Sequence, residues 1–265
     1  MENKDLKELY ETARKWTLEA GERIKHSLTD TIEVEYKTSA ADLVTQKDKE
    51  IEQFFIERIL NEYPDHHILG EEGMSETTPA DYQQGTVWII DPIDGTTNFV
   101  HQKRNFAISV AIYRDGSPLI GCIYDPIEEE LFHGCKDNGA FLNDEKLPVL
   151  TSCSVEEAVI SFNHLWVVPN EKVDYEKMQQ IVLDVRGVRS IGSAALEIAY
   201  VACGRLDAYL DFRLSAWDIA AGIVILNELA GISTTMEQED VDVFNLSSTI
   251  FIRPGLDEKL TSYLL

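Results

Sequence analysis

Basic residues are scarce in this sequence. Its 265 residues include 23 lysines and arginines against 47 aspartates and glutamates, which leaves a formal net charge of −24. Proteins bind nucleic acid and anionic membranes through Lys and Arg side chains that neutralise phosphates, so this charge argues against both partners. A small anionic substrate stays compatible with the charge, because bound metal ions can supply the cations that the side chains lack.

Paired cysteines and long apolar runs are absent as well. Cys122, Cys135, Cys153 and Cys203 form no CxxC pair, which argues against a structural zinc site. Scattered cysteines are typical of reduced core residues in cytosolic proteins. No apolar run approaches the roughly 18 residues of a membrane span, and the first residues are charged. We therefore expect a cytoplasmic protein without a membrane partner.

The first half of the chain predicts two helices followed by a series of strands. Apolar residues at helical spacing predict helices over residues 6–26 and from Gln46 to just before Pro64, with a short strand over residues 31–36 between them. Turn residues then separate short, largely apolar runs, as in an antiparallel meander. The strands predicted there cover residues 67–69, 86–90, 106–113, 118–124, 130–135 and 140–142.

Beyond residue 150, strands and helices alternate, which is the pattern of an α/β protein. No linker rich in Pro, Gly or Ser separates this half from the first. We therefore predict an N-terminal α+β subdomain over residues 1–150 that packs against a C-terminal α/β subdomain over residues 151–265. The strands predicted in the second half cover residues 158–162, 187–191, 208–212 and 249–252, and the helices cover residues 175–183, 194–203 and 216–229.

Two aspartates directly follow a strand that the sequence predicts to be buried on both faces. Asp91 and Asp94 come after residues 86–90, at the carboxyl end of the strand, where α/β folds place their functional sites. The two carboxylates can converge on one point, with the Ile93 carbonyl between them as a third oxygen. Oxygen ligands of this kind are those that Mg²⁺ prefers. Taken alone, the segment also fits an ordinary turn after a strand.

Gly95, Thr96 and Thr97 come next in the sequence. If these residues open a helical turn, their backbone N–H groups point at an anion held beside the metal. A metal ion and a phosphate would then share one cavity.

Further acidic residues stand at the ends of two other predicted elements. Glu71 and Glu72 follow the strand over residues 67–69, and Asp218 opens the helix over residues 216–229. Each has an ordinary alternative. The glutamates also fit a solvated loop, and Asp218 fits a first-turn carboxylate that interacts favourably with the helix dipole. Three acidic segments in one chain nevertheless indicate a single metal site assembled from distant parts of the sequence.

Several motifs closely resemble the inositol monophosphatase family. They occur in the order typical of that family and extend over nearly the whole chain. The nine residues 91–99 are the most specific of them. The matching segments are residues 37–45 with Asp48, 70–72, 88–99, 192–195 and 217–222.

The resemblance implies a layered αβαβα sandwich that forms a homodimer and is sensitive to lithium. It also implies a phosphomonoesterase with two or three Mg²⁺ ions in each active site. By the same resemblance, Glu71, Asp91 and the Ile93 carbonyl bind the first ion. Asp91, Asp94 and Asp218 bind the second ion. A third, weaker ion is held by Glu71 and water.

The resemblance also implies in-line attack on phosphorus by a metal-activated water. Thr96 matches the hydroxyl that orients this water, and Asp48 matches the carboxylate that accepts a hydrogen bond from Thr96. Glu71, Thr96 and Asp48 are thus the implied catalytic residues. The implied substrate contacts are Gly95, Thr96, Thr97, Gly192, Ser193, Ala194 and Asp211.

The resemblance favours inositol 1-phosphate or a similar small metabolite as the substrate. Family members that prefer inositol phosphate often have Glu where this chain has Asp211, and a side chain one methylene shorter reaches differently. Asp211 also fits a strand-end carboxylate bonded to nearby backbone. The NADP 2′-phosphate and fructose 1,6-bisphosphate are alternative substrates on the same scaffold. A non-catalytic phospho-ligand sensor is a remote alternative, since such a protein would have lost Thr96, Asp48 or Glu71.

Overall fold

A seven-stranded sheet and a five-stranded sheet frame the protein in its computed structural model, which describes residues 3–28, 34–36, 43–73, 84–245, 248–256 and 260–262. The helices are α1 (Asn3–Ser27), α2 (Gln46–Glu62), α3 (Thr96–Gln102), α4 (Tyr175–Asp184), α5 (Ala194–Ala202) and α6 (Ala216–Asn227). The first sheet contains β3 (His67–Gly70), β4 (Thr86–Asp94), β5 (Ala107–Arg114), β6 (Ser117–Asp125), β7 (Glu130–Cys135), β8 (Gly139–Leu142) and β9 (Glu145–Lys146). The second contains β10 (Val159–Phe162), β11 (Gly187–Arg189), β12 (Ala208–Asp211), β13 (Ile232–Thr234) and β14 (Thr249–Ile252), while β1 (Val34–Tyr36) and β2 (Leu43–Thr45) pair separately.

The first sheet has the strand order β3-β4-β5-β6-β7-β8-β9. β3 and β4 are parallel, and each later strand is antiparallel to the one before it, which confirms the predicted meander. Every residue of β4 is buried. A strand covered on both faces has no solvent side that requires polar residues, which explains the apolar run that precedes Asp91.

α1 and α2 cover one face of this sheet. Their apolar stripes pack with the sheet in one buried cluster. Near its centre, the rings of Trp16 from α1 and Trp88 from β4 stack with centroids 5.4 Å apart. The Trp88 indole N–H donates to His66 Nδ1 at 3.0 Å, so the polar edge of this buried ring has a partner.

α5 and α6 form the layer between the two sheets. The α6 sequence is apolar on nearly all sides, as expected of a helix that is buried all round. Gly121 of β6 lets α6 lie close to the sheet, because a Cβ there would stand 2.3 Å from Ala221 O. Gly222 of α6 does the same for α5, since its Cβ would stand 2.4 Å from Ile198 Cγ2. Two glycines thus determine how closely the middle layer packs.

The second sheet has the order β11-β10-β12-β14-β13, and its side chains alternate between two apolar clusters. Tyr209 and Phe251 pack with α5 and α6, whereas Leu210 and Ile250 pack with α4 on the outer face. This arrangement confirms the predicted αβαβα sandwich. Within the part of the chain that the structure describes, no helix has both the length and the apolar character needed to cross a membrane.

The structure differs from the sequence prediction in the extent of several strands. β4 continues to Asp94 instead of ending at Ile90, because the ladder with β5 resumes after an irregularity. The sequence pattern does not indicate β2, β9 or β13, which are too short for a recognisable alternation. The strand predicted over residues 31–36 is observed as β1, and residues 31–33 lie outside the described residues. A subdomain division near residue 150 stays a prediction.

We expect Gly121→Ala to lower the free energy of unfolding by about 2–3 kcal/mol, because the new methyl group would press on the α6 backbone. Denaturant unfolding measures the loss. Gly134→Ala is the matched control, since its Cβ would stand 3.3 Å from Ile225 Cα, and its loss should be smaller. Equal stabilities of wild type and Gly121→Ala would contradict the close packing of α6 on β6.

Candidate active site

Asp91 lies inside β4, opposite Ser109 of β5, and is almost completely buried. The pairing of the two strands is irregular between Asp91 and Asp94, and Pro92 between them has no N–H to donate to the ladder. Asp91 Oδ1 accepts a hydrogen bond from Ile93 N at 3.0 Å. This bond fixes the Asp91 carboxylate where the regular ladder is interrupted.

Asp94 joins the end of β4 to the start of α5. Its Oδ2 accepts hydrogen bonds from the Ser193 hydroxyl at 2.5 Å and from Ala195 N at 2.7 Å. Its Oδ1 accepts from Ala194 N at 3.2 Å. The first N–H groups of a helix lack acceptors within the helix, so a carboxylate is favourable there. Ser193, which the resemblance assigns to the substrate, thus binds and orients Asp94.

Asp218 belongs to the first turn of α6. Its Oδ2 accepts from Ser215 N at 2.6 Å, and the Ser215 side chain caps the helix in return. The ordinary role of a first-turn carboxylate therefore holds. It does not compete with a role in a site, because carboxylate oxygens of Asp218, Asp91 and Asp94 all lie within 4.8 Å of one another.

Asp48, Glu71 and Glu72 form a second acidic group, whose carboxylate oxygens also lie within 4.8 Å of one another. The two groups adjoin each other, since the pKa of Asp91 is raised first by burial and then by the negative charge of Glu71. Asp218 completes the first group from the other half of the chain. The structure thus brings together Asp48 and the three acidic segments that the sequence leaves far apart, and either group could hold a metal ion.

Burial makes these carboxylates costly to ionise without a cation. Burial, reinforced by Glu71 and the other acids, raises the pKa of Asp91 well above its ordinary value. It likewise raises the pKa of Asp94 and of Asp48 to about 7, although hydrogen bonds oppose the shift. The pKa of Asp218 is raised well above its ordinary value by burial and by Asp94. Buried oxygen donors without Cys or His fit a hard divalent ion such as Mg²⁺.

α3 begins beside this acidic site, so Gly95, Thr96 and Thr97 do open a helical turn. Gly95 is the N-cap residue with a φ of 90°, which favours glycine, and a Cβ there would stand 3.1 Å from Gly192 O. The Thr96 hydroxyl lies 3.1 Å from Ile93 O and 3.4 Å from Asp48 Oδ1. Both oxygens are acceptors, so the single hydroxyl hydrogen can be donated to one of them at a time.

A cleft of about 190 Å³ opens next to Asp94 and Asp218. Gly192, Ala194 and Asp211, which the resemblance assigns to the substrate, line the same cleft. Ser193 is buried behind it and bound to Asp94, and Thr97 is exposed on α3. Their assignments as substrate contacts stay predictions.

Comparison with known proteins identifies the family. The model described as the inositol monophosphatase family matches residues 5–264, nearly the whole chain. The chain belongs to the inositol monophosphatase family. This confirms the resemblance that the motifs indicate, and it confirms that the chain is a phosphatase.

Individual members of the inositol monophosphatase family are similar to this chain in sequence and in structure. The inositol-1-monophosphatase of Bacillus subtilis is 47% identical over 253 residues, which cover 96% of this chain and 95% of the relative. The crystal structure of SaIMPase-II with inositol monophosphate bound has a TM-score of 0.85 and 38% identity, and the match covers 97% of this chain and 93% of that chain. An IMPase/NADP phosphatase complexed with NADP and Ca²⁺ has a TM-score of 0.89 at 26% identity, covering 97% of this chain and 95% of that chain.

The sequence left two positions open for Asp211, a strand end where it bonds to backbone and the wall of the substrate cleft. The structure places it at both. It ends β12, and its Oδ1 accepts from Phe212 N at 2.7 Å and from Arg213 N at 3.1 Å. It also lines the cleft, so bonding to backbone does not withdraw it from the site. Burial raises the pKa of Asp211, and the nearby Arg213 opposes that shift.

Glu52 of α2 supports the turn that carries Glu71, a role that the sequence analysis misses. Its carboxylate is fully buried, and Oε2 accepts from Glu72 N at 2.7 Å. Gly70 makes room for it, because a Cβ there would stand 2.4 Å from Glu52 Cδ. The available signal is that Glu52 lies at helical spacing from Phe55, on the buried face of α2.

Glu197 supports the loop before α5, and it too is missed from the sequence. Its Oε1 accepts from Ile191 N at 2.7 Å and from the Ser161 hydroxyl at 2.5 Å. Asn98 Nδ2 donates to Ile191 O at 2.8 Å, so both sides of that peptide unit are tied down. The available signal is that Glu197 is the only charged residue in α5, whose other residues are largely apolar.

Proposed function

We propose that this phosphatase hydrolyses a small phosphate monoester, foremost an inositol monophosphate, with two or three Mg²⁺ ions bound at the acidic groups. The proposal rests on one observation: Asp91, Asp94 and Asp218 converge within 4.8 Å, beside the group that contains Glu71. The Bacillus subtilis relative and the SaIMPase-II complex support an inositol phosphate by their names. Both of these proteins resemble this chain over nearly its whole length.

We propose the metal ligands that the family resemblance implies. Glu71, Asp91 and the Ile93 carbonyl would hold the first ion, and Asp91, Asp94 and Asp218 the second. Mg²⁺ bound there supplies Lewis-acid chemistry, which acidifies water and stabilises a leaving oxygen. Asp91 is shared between the two ligand sets, so its bond from Ile93 N fixes a point common to both.

Thr96 is proposed to orient the attacking water. Its hydroxyl has one hydrogen, which it can donate to Asp48 Oδ1 at 3.4 Å, and its oxygen then accepts from a water. A water held in this way would face phosphorus for in-line attack. The first amides of α3 would bind the phosphate, and Asp211 would accept from a substrate hydroxyl in the cleft.

Phosphate release from a panel of monoesters, assayed with and without Mg²⁺, tests the proposal. We expect turnover of inositol 1-phosphate that requires Mg²⁺ and stops on chelation. Tight binding of the same compounds without any turnover would instead establish the phospho-ligand sensor, and the proposed function would be wrong.

Thr96→Val should lower kcat by about 10²-fold, with a smaller effect on KM. Valine has nearly the same shape but lacks the hydroxyl that would hold the water. Steady-state kinetics on inositol 1-phosphate measure the effect. Thr96→Ser is the matched control, because it keeps the hydroxyl and should restore most of kcat. Equal losses in both variants would show that the hydroxyl is not what matters.

The NADP 2′-phosphate is the second candidate substrate, with fructose 1,6-bisphosphate as a third. Arg213 lines the cleft, and a guanidinium suits a substrate with more than one phosphate. The IMPase/NADP phosphatase resembles this chain in fold. Competition between inositol 1-phosphate and NADP at equal concentrations, scored as the ratio of kcat/KM, decides between them.

We also propose, from family membership, a homodimer, inhibition by lithium and a cytoplasmic location. Light scattering on the purified protein is expected to give the mass of two chains. Activity with Mg²⁺ should fall as LiCl is added, whereas NaCl at the same ionic strength should leave it largely unchanged.

A further inference from the structure

The active-site cleft has a second cavity next to it. This cavity has a volume of about 490 Å³ and shares Arg213 and Leu214 with the cleft of about 190 Å³. Ligand pockets in proteins are commonly about 300–1,000 Å³. The cleft alone is below that range, so a substrate larger than a phosphorylated ring would extend past Arg213 into the neighbouring cavity.

The two cavities differ in charge. The cleft is lined by four carboxylates, those of Asp94, Glu197, Asp211 and Asp218, with one cation, Arg213. The neighbouring cavity is lined by two cations, Lys172 and Arg213, and one carboxylate, Glu237. The balance of charge in this cavity is opposite to that of the whole chain, which has 23 basic residues against 47 acidic ones.

Contacts with the protein hold both cations at this cavity. Lys172 Nζ donates to Phe212 O at 3.0 Å, and an ammonium group has two further hydrogens to offer. The Arg213 guanidinium lies over the Trp166 ring, with Cζ 5.2 Å from the ring centroid. Its Nε is 3.8 Å from Asp211 Oδ1. A stacked guanidinium keeps its planar edge for a phosphate, which it can bind through two parallel N–H groups.

We propose that Lys172 and Arg213 form a subsite for a second phosphate group of the substrate, distant from the phosphate that is hydrolysed. This inference rests on the proposed phosphatase function and extends its substrates beyond inositol monophosphates to phosphate monoesters that carry a further phosphate. Sugar bisphosphates and phosphorylated dinucleotides share that chemistry. The acidic cleft, once metal ions are bound, receives the reacting phosphate, and the cationic cavity receives the second one.

The test compares pairs of substrates that differ in the second phosphate. One pair is fructose 1,6-bisphosphate and fructose 1-phosphate, and the other is NADP and 2′-AMP. The ratio of kcat/KM within each pair is measured with Mg²⁺ for wild type, Lys172→Met, Arg213→Met and the double variant. Arg186→Met is the control, because Arg186 is largely exposed and lies outside both cavities.

We expect each single substitution to lower the ratio about 10-fold for at least one pair, the double variant to lower it further, and Arg186→Met to leave it unchanged. A fall confined to the sugar pair identifies a sugar bisphosphate, and a fall confined to the nucleotide pair identifies a dinucleotide. Ratios equal to wild type in all three variants would overturn the subsite and leave the proposed phosphatase function standing. No turnover of any of the four compounds would also overturn the subsite, and only the further absence of turnover of inositol 1-phosphate would overturn the proposed function as well.

A measurement on the wild type alone gives a second test that does not depend on variants that fold. Raising the ionic strength screens charge–charge attraction, so KM for fructose 1,6-bisphosphate should rise more steeply than KM for fructose 1-phosphate. The same contrast is expected between NADP and 2′-AMP. Parallel salt dependence within both pairs would count against the subsite.

Discussion

Replacing Asp94 with Asn should lower kcat/KM for the hydrolysed monoester by on the order of 10³-fold or more. Asp94 is proposed to bind the second Mg²⁺, and an amide is a neutral and weaker ligand, so several kcal/mol of transition-state stabilisation would be lost. The fold should be retained, because the side-chain oxygen of Asn still accepts from Ala195 N at the start of α5. Steady-state kinetics at saturating Mg²⁺, together with a thermal unfolding curve, measure both effects.

Asp125→Asn is the matched control for this experiment. Asp125 is equally buried, and its Oδ1 accepts from the backbone N–H groups of Ile127 and Glu128, which an Asn also satisfies. It belongs to neither acidic group, so its substitution should leave turnover close to wild type. Near-normal turnover in Asp94→Asn would remove Asp94 from the metal site, and an equal loss in both variants would point to a general effect of substituting a buried aspartate.

Metal-free protein should lose stability as the pH rises from about 4 through 7. The pKa of Asp48 is raised by burial from 3.8 to about 7, and that of Asp94 is raised to about 7. Between pH 3.8 and about 7, these two carboxyl groups hold protons in the folded state that they have released in the unfolded chain. Their ionisation at higher pH therefore favours unfolding. For Asp48 alone, a shift from 3.8 to about 7 corresponds to roughly 4 kcal/mol. His66 and His133, whose pKa values are lowered to about 4 by burial, act in the opposite direction between pH 4 and 6.5.

Mg²⁺ should reverse this loss, because it replaces the protons on the same carboxylates and binds only the folded state. Melting temperatures measured from pH 4.5 to 8 with saturating Mg²⁺ and with a chelator isolate the effect, since the two histidines contribute equally to both series. The difference between the series is expected to widen as the pH rises. It should be much smaller in Asp94→Asn. A difference that is independent of pH would contradict the assignment of these carboxylates as metal ligands.

Most of the secondary structure follows from local sequence patterns. The helix from Gln46, the strand Glu130–Cys135 and the strand Thr249–Ile252 have the predicted bounds or nearly so. Their apolar spacing is unambiguous because one face or both faces must be buried. The end of β4 is different, since its pairing continues past Pro92 only because β5 lies alongside. β5 lies farther along the chain, so no local sequence pattern around Pro92 predicts this pairing.

The acidic residues of the site could be predicted, but the residues that hold them could not. Asp91 and Asp94 occur in a specific motif, and their chemistry is evident from the residue types. Glu52 and Glu197 act through partners that lie 20 and 36 residues away in sequence, Glu72 and Ser161. A buried carboxylate with a distant donor looks, in the sequence, like any other charged residue on a helix.

The amino-acid sequence by itself determined most helices and strands through local patterns of apolar residues, and it determined the acidic segments and the family through motifs of contiguous residues. The layered fold followed from the family resemblance. Only the tertiary structure decided that Asp218 meets Asp91 and Asp94, that Ser193 is committed to Asp94, and that Lys172 and Arg213 share a cavity beside the cleft. These relations depend on how α5, α6 and the second sheet pack against the first sheet. Packing brings distant residues within bonding distance, and the physical consequences of that proximity, burial, repulsion and hydrogen bonding, exist only in the folded chain.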